Sequence, residues 1–378
     1  MKASKEAIEK ILERNVEQVI GREKLVSKML SRKQLRIKHG VDVTSPMLHI
    51  GHAVDYWKMR EFQELGHKVV FLIGDFTTKI GDPTGKSKTR PELDDKAIKE
   101  NAKTYLKQVT KILIDDPKLL EVRKNSEWHG KMSSLELLSL LKKVTHAQLT
   151  ERDMFQRRMK EGGEIYEHET IYPVLQAYDS VMLKSDLTVI GTDQLFNEIM
   201  GRKYQEIFGQ EPQAIIATTI TPGLDGKEKM SKSLNNYVAI LDKPSEKFTK
   251  IMALKDSLVE HYFKVYTDLS LQDIEKIIKQ SHPFEAKKRL AFEIVKRYDG
   301  EKAAKSADSE GVRAKRGELW VNFLTRNKFS NSNSEAKRLI DGGGVSFENE
   351  KIKNSKESII KPGRAKIGKY KVVNITLK

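Results

Sequence analysis

The fold is decided by residues 35–52, whose sequence is LRIKHGVDVTSPMLHIGH. Residues 35–41 alternate between apolar and polar side chains, which is typical of a strand, and the Thr-Ser-Pro that follows ends the pattern. Helical spacing of apolar residues begins near Gly51 and stops at Gly66. A strand that reads as buried on both faces follows at Val69–Gly74. Strand, helix and strand in this order predict a right-handed parallel crossover.

Further strands are predicted at Leu187–Ile190 and Ala214–Ile220, each preceded by helical sequence. The core is therefore expected to be α/β, a Rossmann-like, doubly wound parallel sheet. A long and mostly helical insertion is expected at about residues 88–169. The predicted divisions of the chain are a nucleotide-binding domain with this insertion at 1–225, a lysine-rich loop and helical domain at 226–305, a linker at 306–317 and a basic α+β module at 318–378.

Composition excludes several classes of protein. Of 378 residues, 38% are hydrophobic and 32% are charged, and no cysteine is present. Disulfides, thiolate catalysis and cysteine-bound zinc are therefore excluded, and no tightly bound metal is expected. The charged N-terminus lacks the pattern of a signal peptide, and no segment approaches the ~20 apolar residues that span a bilayer. We expect a cytoplasmic protein with no membrane partner.

The balance of charge indicates a polyanionic partner. Lys and Arg number 69 against 53 Asp and Glu, which gives a net charge of +16. Residues 311–378 hold 16 of these cations and 6 of the anions, so this segment alone carries +10. Such a segment is either a nucleic-acid surface or a solvated basic face, and charge alone does not distinguish the two.

His49 and His52 are three residues apart, so they share one face at the start of a helix. Gly51 between them allows a ligand to approach the backbone closely. Two imidazoles, the free backbone N–H groups and the positive end of the helix dipole together suit a nucleotide phosphate. A pair of surface histidines is the alternative. The position of the motif at the first crossover, after Asp42 and Thr44, favours a nucleotide.

A second cationic motif is Lys229-Met230-Ser231-Lys232-Ser233, which follows the flexible sequence Pro222–Gly226. Two mobile ammonium groups beside a triphosphate would neutralise charge as pyrophosphate leaves. A lysine-rich loop on its own is more often simply solvated.

Together the two motifs, residues 49–52 and 229–233, resemble the paired signatures of the class I aminoacyl-tRNA synthetases at every position. That resemblance implies an enzyme that uses Mg-ATP to activate an amino acid and then loads it onto transfer RNA. The residues implied to bind ATP are Asp42, Thr44, His49, Gly51, His52, Gly191, Asp193, Lys229, Met230, Ser231, Lys232 and Ser233.

Two further segments resemble the substrate-pocket motifs of bacterial tyrosyl-tRNA synthetases: Tyr172-x-x-x-Gln176-x-x-Asp179 and Gly191-Thr192-Asp193-Gln194. The resemblance implies that Asp179 accepts the phenol hydroxyl of tyrosine. Such a buried carboxylate would reject phenylalanine, because it would be left without a partner. The residues implied to surround the amino and carboxylate ends of the substrate are Tyr172, Gln176, Asp82 and Gln194.

Residues 80–86, with the sequence IGDPTGK, are similar to a loop of the same family. In that loop the aspartate, here Asp82, faces the substrate amino group, and later basic residues, here Lys86 and Arg90, lie toward the phosphates. Hydrogen-bond donors and cations are expected rather than a nucleophile and a base, because the reaction needs positioning and charge stabilisation. The catalytic candidates are His49, His52, Lys86, Arg90, Lys229 and Lys232.

Three residues depart from the family pattern. Lys38 stands where many bacterial members place a tyrosine that also contacts the phenol, so it is the least typical candidate for the tyrosine site. Val43 replaces the common proline after Asp42. Ile190 replaces the first glycine of the usual Gly-Gly-x-Asp-Gln, which predicts a narrower pocket wall there.

The basic tail resembles an S4-like RNA-binding domain in Ser332–Ile340 and Gly342–Val345. Its candidate contacts to tRNA are Ser334, Lys337 and Arg338, which would grip phosphates. As a lone motif it would also fit a ribosomal protein or an RNA-modifying enzyme. Beside the catalytic motifs it favours tyrosine and tRNA(Tyr) as substrates over their tryptophan counterparts, since tryptophanyl enzymes normally lack such a tail.

Leu137, Leu138 and Leu141, together with the family resemblance, predict a homodimer interface in the insertion. The alternative is that these leucines pack on their own core. Two other functions stay open: a tryptophanyl enzyme, which should lack an acidic partner for a phenol, and a regulatory RNA-binding protein on a retired synthetase core, which should have lost phosphate-binding residues. A different nucleotidyltransferase would share only the His-x-Gly-His turn.

Overall fold

The computed structural model describes residues 4–31, 33–83, 93–231, 234–309, 312–327, 329–348, 350–368 and 371–377. The chain forms two compact units, Met1–Ile220 and Thr221–Lys378. No helix within these described ranges is long and apolar enough to cross a bilayer.

The first unit is an α/β domain. Its elements are α1 (Lys5–Glu13), β1 (Val16–Ile20), α2 (Arg22–Leu30), β2 (Arg36–Val41), α3 (Ile50–Glu64), β3 (Lys68–Ile73), α4 (Thr77–Ile80), α5 (Asp95–Val109), β4 (Leu120–Lys124), α6 (Ser126–His129), α7 (Ser134–Leu141), α8 (His146–Thr150), α9 (Asp153–Lys160), α10 (Glu167–Leu183), β5 (Leu187–Gly191), a 3-10 turn (Thr192–Gln194), α11 (Leu195–Ile207) and β6 (Ala214–Thr218).

The sheet of this unit has the order β1-β6-β5-β2-β3-β4. All neighbours pair in parallel except β1, which runs antiparallel to β6. The four predicted strands are confirmed as β2, β3, β5 and β6. The expected parallel pairing is found among β2 to β6, and the antiparallel edge strand β1, which was not expected, makes the sheet mixed.

The two strands that the sequence did not reveal are the two edges of the sheet. β1 has no fully buried residue, and β4 buries only Leu120. Edge strands with polar positions on their exposed side lack the continuous apolar run that marks a central strand. β4 lies within the stretch that was expected to be a helical insertion.

The order of the strands reverses beside β2. β3 and β4 follow on one side of β2, whereas β5 and β6 lie on its other side. In an open α/β sheet, the carboxyl ends of strands at such a reversal border a crevice. Asp42 directly follows β2 and Thr192–Gln194 directly follow β5, so both segments lie at this crevice.

Helix α3 is anchored to the sheet by apolar side chains at helical spacing, since Ile50, Ala53, Met59 and Phe62 are all fully buried. Burying each of the larger ones contributes about 1.5–3 kcal/mol before entropy is counted. Because that face is fixed, the N-terminus of α3 is held at the crevice.

The second unit contains a helical part and a small β-rich tail. Its elements are α12 (Pro244–Met252), a 3-10 turn (Asp256–Leu258), α13 (Val259–Tyr266), α14 (Leu271–Gln280), α15 (Pro283–Asp299), α16 (Glu301–Ser309), β7 (Val312–Ala314), β8 (Glu318–Leu319), α17 (Trp320–Arg326), α18 (Asn333–Asp341), β9 (Val345–Phe347), β10 (Glu350–Lys351), β11 (Ser358–Ile359), β12 (Gly363–Ile367) and β13 (Lys371–Leu377).

The tail has its own sheet, in the order β10-β9-β12-β13-β7, and its own core around Trp320 and Phe323. Residues 306–317, expected to be a linker, instead hold the end of α16 and strand β7. β7 pairs in parallel with β13, and Ala314 is buried in the tail core. Three residues are too few to show the alternation that would identify a strand in the sequence.

Candidate functional site

Helix α3 begins at the first motif. The backbone N–H of His49 donates to Nδ1 of His52 at 3.2 Å, and the ring centroids of the two histidines lie 3.7 Å apart. Because Nδ1 accepts this hydrogen bond, a neutral His52 carries its proton on Nε2. His52 is exposed. Its Nε2–H and the helix N-terminus can therefore donate together to a phosphate.

Asp42 connects the end of β2 with two other elements. Its Oδ1 accepts from Thr77 Oγ1 at 2.8 Å, and its Oδ2 accepts from the hydroxyl of Tyr172 at 3.0 Å. A side chain at Gly74 would collide with both Thr77 Oγ1 and Asp42 Oδ1, so only glycine permits this contact. Burial, with the nearby carboxylates of Asp42 and Asp82, raises the pKa of Tyr172 well above its usual value. The phenol therefore stays protonated and remains a donor.

Asp179 is buried on the face of α10 that points to the crevice. Its Oδ1 accepts from Trp128 Nε1 and from His129 Nε2, each at 2.8 Å. Within the described part of the chain, Oδ2 has a single and long contact, 3.4 Å from Asn125 Nδ2. The hydrogen bonds to Oδ1 thus hold the carboxylate in place, and Oδ2 can accept a hydrogen bond from a hydroxyl group of a ligand.

A chain of amide side chains joins the remaining predicted tyrosine-site residues. Asn197 Nδ2 donates to Gln176 Oε1 at 2.7 Å and to Gln194 Oε1 at 3.1 Å. Gln194 Nε2 donates to Asp82 Oδ2 at 2.7 Å. Gln176 Nε2 in turn donates to Glu198 Oε1 at 2.7 Å. Gln176, Gln194 and Asp82 are therefore joined by hydrogen bonds through Asn197, whereas Tyr172 is bonded to Asp42 and Asp179 to the residues after β4.

Lys38 is buried in the core beneath this chain, with 1% of its surface exposed. Its Nζ donates to Ser180 Oγ at 2.7 Å and forms an ion pair with Glu198 Oε2 at 2.9 Å. The ammonium group is thus satisfied by protein atoms.

The other two departures from the family pattern also lie in the core. Val43 is fully buried, and its backbone N–H donates to Thr78 Oγ1 at 3.0 Å, a bond that a proline could not make. Ile190 is buried at the end of β5. Gly191 follows, and a Cβ there would lie 2.9 Å from Oδ1 of Asp193, two residues later. Thr44, next to Val43, is half-buried.

The second motif belongs to the second unit and is organised by Asn236. The Asn236 Oδ1 accepts from the backbone N–H of Ser231 at 2.8 Å. Its Nδ2 donates to Asp225 Oδ1 at 3.1 Å and to the carbonyl of Lys229 at 3.4 Å. Met230 is buried. The segment before the motif, expected to be a flexible lead-in, is therefore held by the Asn236 side chain together with backbone hydrogen bonds such as Gly223 to Glu228 and Leu224 to Asn236.

Four candidate residues lie outside the described residues: Lys86, Arg90, Lys232 and Ser233.

In the tail, Ser334, Lys337 and Arg338 lie on the exposed face of α18. Ala336 and Ile340, on its other face, are buried in the tail core. The helix thus presents its cations to solvent, as its spacing predicted.

Comparison with known proteins identifies the family. A family model described as tRNA synthetases class I (W and Y) matches residues 30–313. The chain is 42% identical to the tyrosine–tRNA ligase of Aquifex aeolicus over 384 residues, which cover 97% of each chain. It is also 42% identical to the tyrosine–tRNA ligase of Thermotoga maritima, over 97% of this chain and 96% of that one. The chain belongs to the tyrosyl-tRNA synthetase family.

Solved structures of the family share the fold. The structure of a C-terminally truncated mitochondrial tyrosyl-tRNA synthetase from Aspergillus nidulans has a TM-score of 0.66 and 23% identity, over 81% of this chain and 92% of that one. The tyrosyl-tRNA synthetase from Archaeoglobus fulgidus, solved with L-tyrosine, has a TM-score of 0.62 and 23% identity, over 80% and 99%. These structures show the shared fold, and the family model with the relatives of 42% identity confirms the family resemblance inferred from the motifs.

Several residues of the crevice were missed by sequence reasoning. Asn125, Trp128 and His129 follow β4, and they were overlooked because β4 was not recognised as a strand of the main sheet. Asn197 and Glu198 follow the Asp-Gln motif by only a few residues. A helical projection of α11 would place both near Gln194, since neighbours three and four apart share a face.

The role of Asn236 leads to a first prediction. Replacing Asn236 by Ala leaves the N–H of Ser231 without its acceptor, and amide hydrogen exchange at Ser231 should become about tenfold faster under native conditions. The matched control is Lys227→Ala. The Lys227 side chain is exposed in the same segment, so the Ser231 amide of this variant should exchange at the rate of the unaltered protein. Equal protection of residues 222–231 in both variants would refute the role assigned to Asn236.

Proposed function

We propose that this chain is a tyrosine–tRNA ligase. It activates tyrosine with ATP to form tyrosyl-adenylate and pyrophosphate, and then transfers tyrosine to the 3′ end of tRNA(Tyr). The observation that carries the assignment is the buried carboxylate of Asp179, whose Oδ1 accepts from Trp128 and His129, while Oδ2 has only a long hydrogen bond, 3.4 Å from Asn125, among the described residues. The relatives that match almost the whole chain are named for tyrosine, which supports the same choice over tryptophan.

Asp179 is suited to discriminate tyrosine from phenylalanine. A phenol hydroxyl can donate to the carboxylate, whereas a phenyl ring would remove water from it and offer no hydrogen bond. Leaving a buried charged acceptor unpaired costs more than the bond itself contributes.

In the first step, the carboxylate of tyrosine attacks the α-phosphate of ATP, which enters as its magnesium complex, and pyrophosphate leaves. No side chain acts as a nucleophile. His52 Nε2–H and the N-terminus of α3 would bind phosphate, and the family resemblance assigns Lys229 and Lys232 to the charge on the departing pyrophosphate. The second step moves the tyrosyl group from the adenylate to a terminal ribose hydroxyl of the RNA.

The assignment predicts the amino-acid dependence of ATP–pyrophosphate exchange. Tyrosine alone should support rapid exchange, and Asp179→Asn should lower kcat/KM for tyrosine by about 10–100-fold while that for phenylalanine changes little, because one hydrogen bond to a charged group is lost. Asp153→Asn, an exposed residue at the start of α9, is the matched control and should not alter either value. Equal exchange with tryptophan or phenylalanine by the unaltered protein would sink the proposal.

The tail is proposed to bind tRNA. Support comes from its charge of +10 over residues 311–378 and from the exposed cations of α18. Because the tail has a core of its own, the adenylation chemistry should not depend on it. A truncation that removes the tail should begin at residue 310, ahead of β7, since β7 pairs with β13.

Removal of residues 310–378 should leave tyrosine-dependent exchange nearly intact and reduce aminoacylation of tRNA steeply. In the full chain, Lys337→Glu with Arg338→Glu should weaken tRNA binding and reduce its salt dependence, because fewer phosphate counterions are released. Lys5→Glu with Lys10→Glu, an exposed pair on α1, controls for net charge. Unchanged tRNA charging after truncation would show that the basic tail serves only solubility.

The chain is also proposed to form a homodimer through the insertion. On α7, Leu135 and Leu138 are 70% and 55% exposed, and Leu137 lines an apolar cavity of about 260 Å³ with Ile171. Leu141 behaves differently, since it packs against the chain's own buried cluster. A second copy would cover the exposed leucines and gain their burial.

Sedimentation at micromolar concentration should therefore show a dimer for the unaltered chain. Leu138→Asp should shift it to monomer, since a charge would be buried in the interface. Leu271→Asp, a comparably exposed leucine on α14, should leave the dimer unchanged. A monomer for the unaltered chain would overturn the interface.

A further inference from the structure

We infer that Lys38 is a positioning residue for the amino group of the substrate: its buried charge sets, through Glu198, the direction of the hydrogen bonds that run from Gln176 to Asp82. The inference rests on the proposed function, because it concerns the tyrosine side of the same crevice.

The ion pair from which these hydrogen bonds begin, Lys38 with Glu198, is deeply buried. The side chains of Lys38 and Glu198 are each 2% exposed, and their Nζ and Oε2 atoms lie 2.9 Å apart. Glu198 accepts two more hydrogen bonds, from Gln213 Nε2 at 2.8 Å and from Gln176 Nε2 at 2.7 Å. Surrounded by an ammonium group and two amide donors, the carboxylate of Glu198 acts only as an acceptor.

The direction of the next bonds follows from that charge. Because Glu198 only accepts, Gln176 must turn its NH₂ group toward it and its carbonyl oxygen toward Asn197. Asn197 uses both hydrogens of its Nδ2, one for Gln176 Oε1 and one for Gln194 Oε1. Gln194 must then present its NH₂ group to Asp82, which as a carboxylate is again only an acceptor.

The hydrogen-bonded series therefore has an acceptor at each end, Glu198 and Asp82. The three amide side chains between them have one consistent orientation. The acceptor atoms in this series are Gln176 Oε1, which accepts from Asn197, and the carboxylate of Asp82, which accepts from Gln194. Acceptors are what an ammonium group requires, since it carries three donors and no lone pair. Lys38 thus prepares the site for the α-amino group of tyrosine without touching it.

This arrangement gives a physical reason for lysine at position 38. A neutral hydroxyl would not offset the cost of an ionised Glu198 in the core, because removing one partner strands a buried charge. Without the ammonium group beside it, the carboxylate of Glu198 would no longer be held in place as the acceptor for Gln176. The NH₂ group of Gln176 would then be released to turn toward the substrate ammonium.

The test compares the Michaelis constants of the full chain for tyrosine and for ATP in pyrophosphate exchange. Lys38→Met should raise KM for tyrosine about tenfold or more, the effect of losing one hydrogen bond to a charged group, with KM for ATP within about twofold. Its Tm should also fall. Glu198→Gln makes the same test with a more conservative change, because a carboxamide can donate to Gln176 where the carboxylate could only accept. Its KM for tyrosine should also rise. This variant tests the role of Lys38 if Lys38→Met does not fold.

The double variant Lys38→Met/Glu198→Met separates positioning from stability. Replacing both charges by apolar groups should restore much of the Tm. KM for tyrosine should nevertheless stay raised about tenfold, because Gln176 has lost the acceptor that orients it. If the double variant recovered the tyrosine KM along with the Tm, the pair would be a packing feature and the inference would be overturned.

A buried pair away from the crevice provides the control. Lys247 is fully buried and pairs with Asp299 at 2.7 Å in the second unit. Lys247→Met should lower the Tm without changing the KM for tyrosine.

The failure of this inference can be told apart from the failure of the proposed function. Absence of tyrosine-dependent exchange in the unaltered protein would refute the proposed function itself. If the unaltered protein does exchange, an unchanged tyrosine KM in Glu198→Gln would refute only the role of Lys38.

Discussion

The two hydrogen bonds accepted by Asp42 connect the parts of the crevice on which the site depends. Asp42 directly follows the central strand β2, Thr77 begins α4 after β3, and Tyr172 lies on α10. One carboxylate thus ties a strand, the turn beside it and the helix that carries the other tyrosine-site residues. The absence of a side chain at Gly74 makes that contact possible.

The crevice is built from buried polar groups, and this has an energetic consequence. Asp179, Glu198 and Lys38 are all removed from solvent, so each must be paired where it lies. A network of this kind contributes little net stability, but its members have few alternative arrangements, because breaking one bond leaves a buried group unsatisfied. The consequence is a site whose hydrogen-bond donors and acceptors are oriented before the substrate binds.

Much of this site was predictable from the sequence. The two short motifs, the spacing of Tyr172, Gln176 and Asp179 on one helical face, and the four central strands follow from local patterns. Apolar runs and helical spacing are properties of neighbouring residues, so they can be read without the fold. The edge strands β1 and β4 were missed because partly exposed strands lack such runs. The residues that hold Asp179 follow β4, so they were missed for the same reason.

The sequence by itself therefore determined the α/β core, the family and most of the residues that line the crevice, because those depend on local spacing and on short motifs. Only the tertiary structure decided what each polar group is bonded to. Lys38 is the clearest case: in the sequence it was an atypical residue, and in the fold its partner is Glu198, 160 positions further along the chain. Which charges meet in the core depends on how β2, α10 and α11 pack together, and that is a long-range property that no local pattern records.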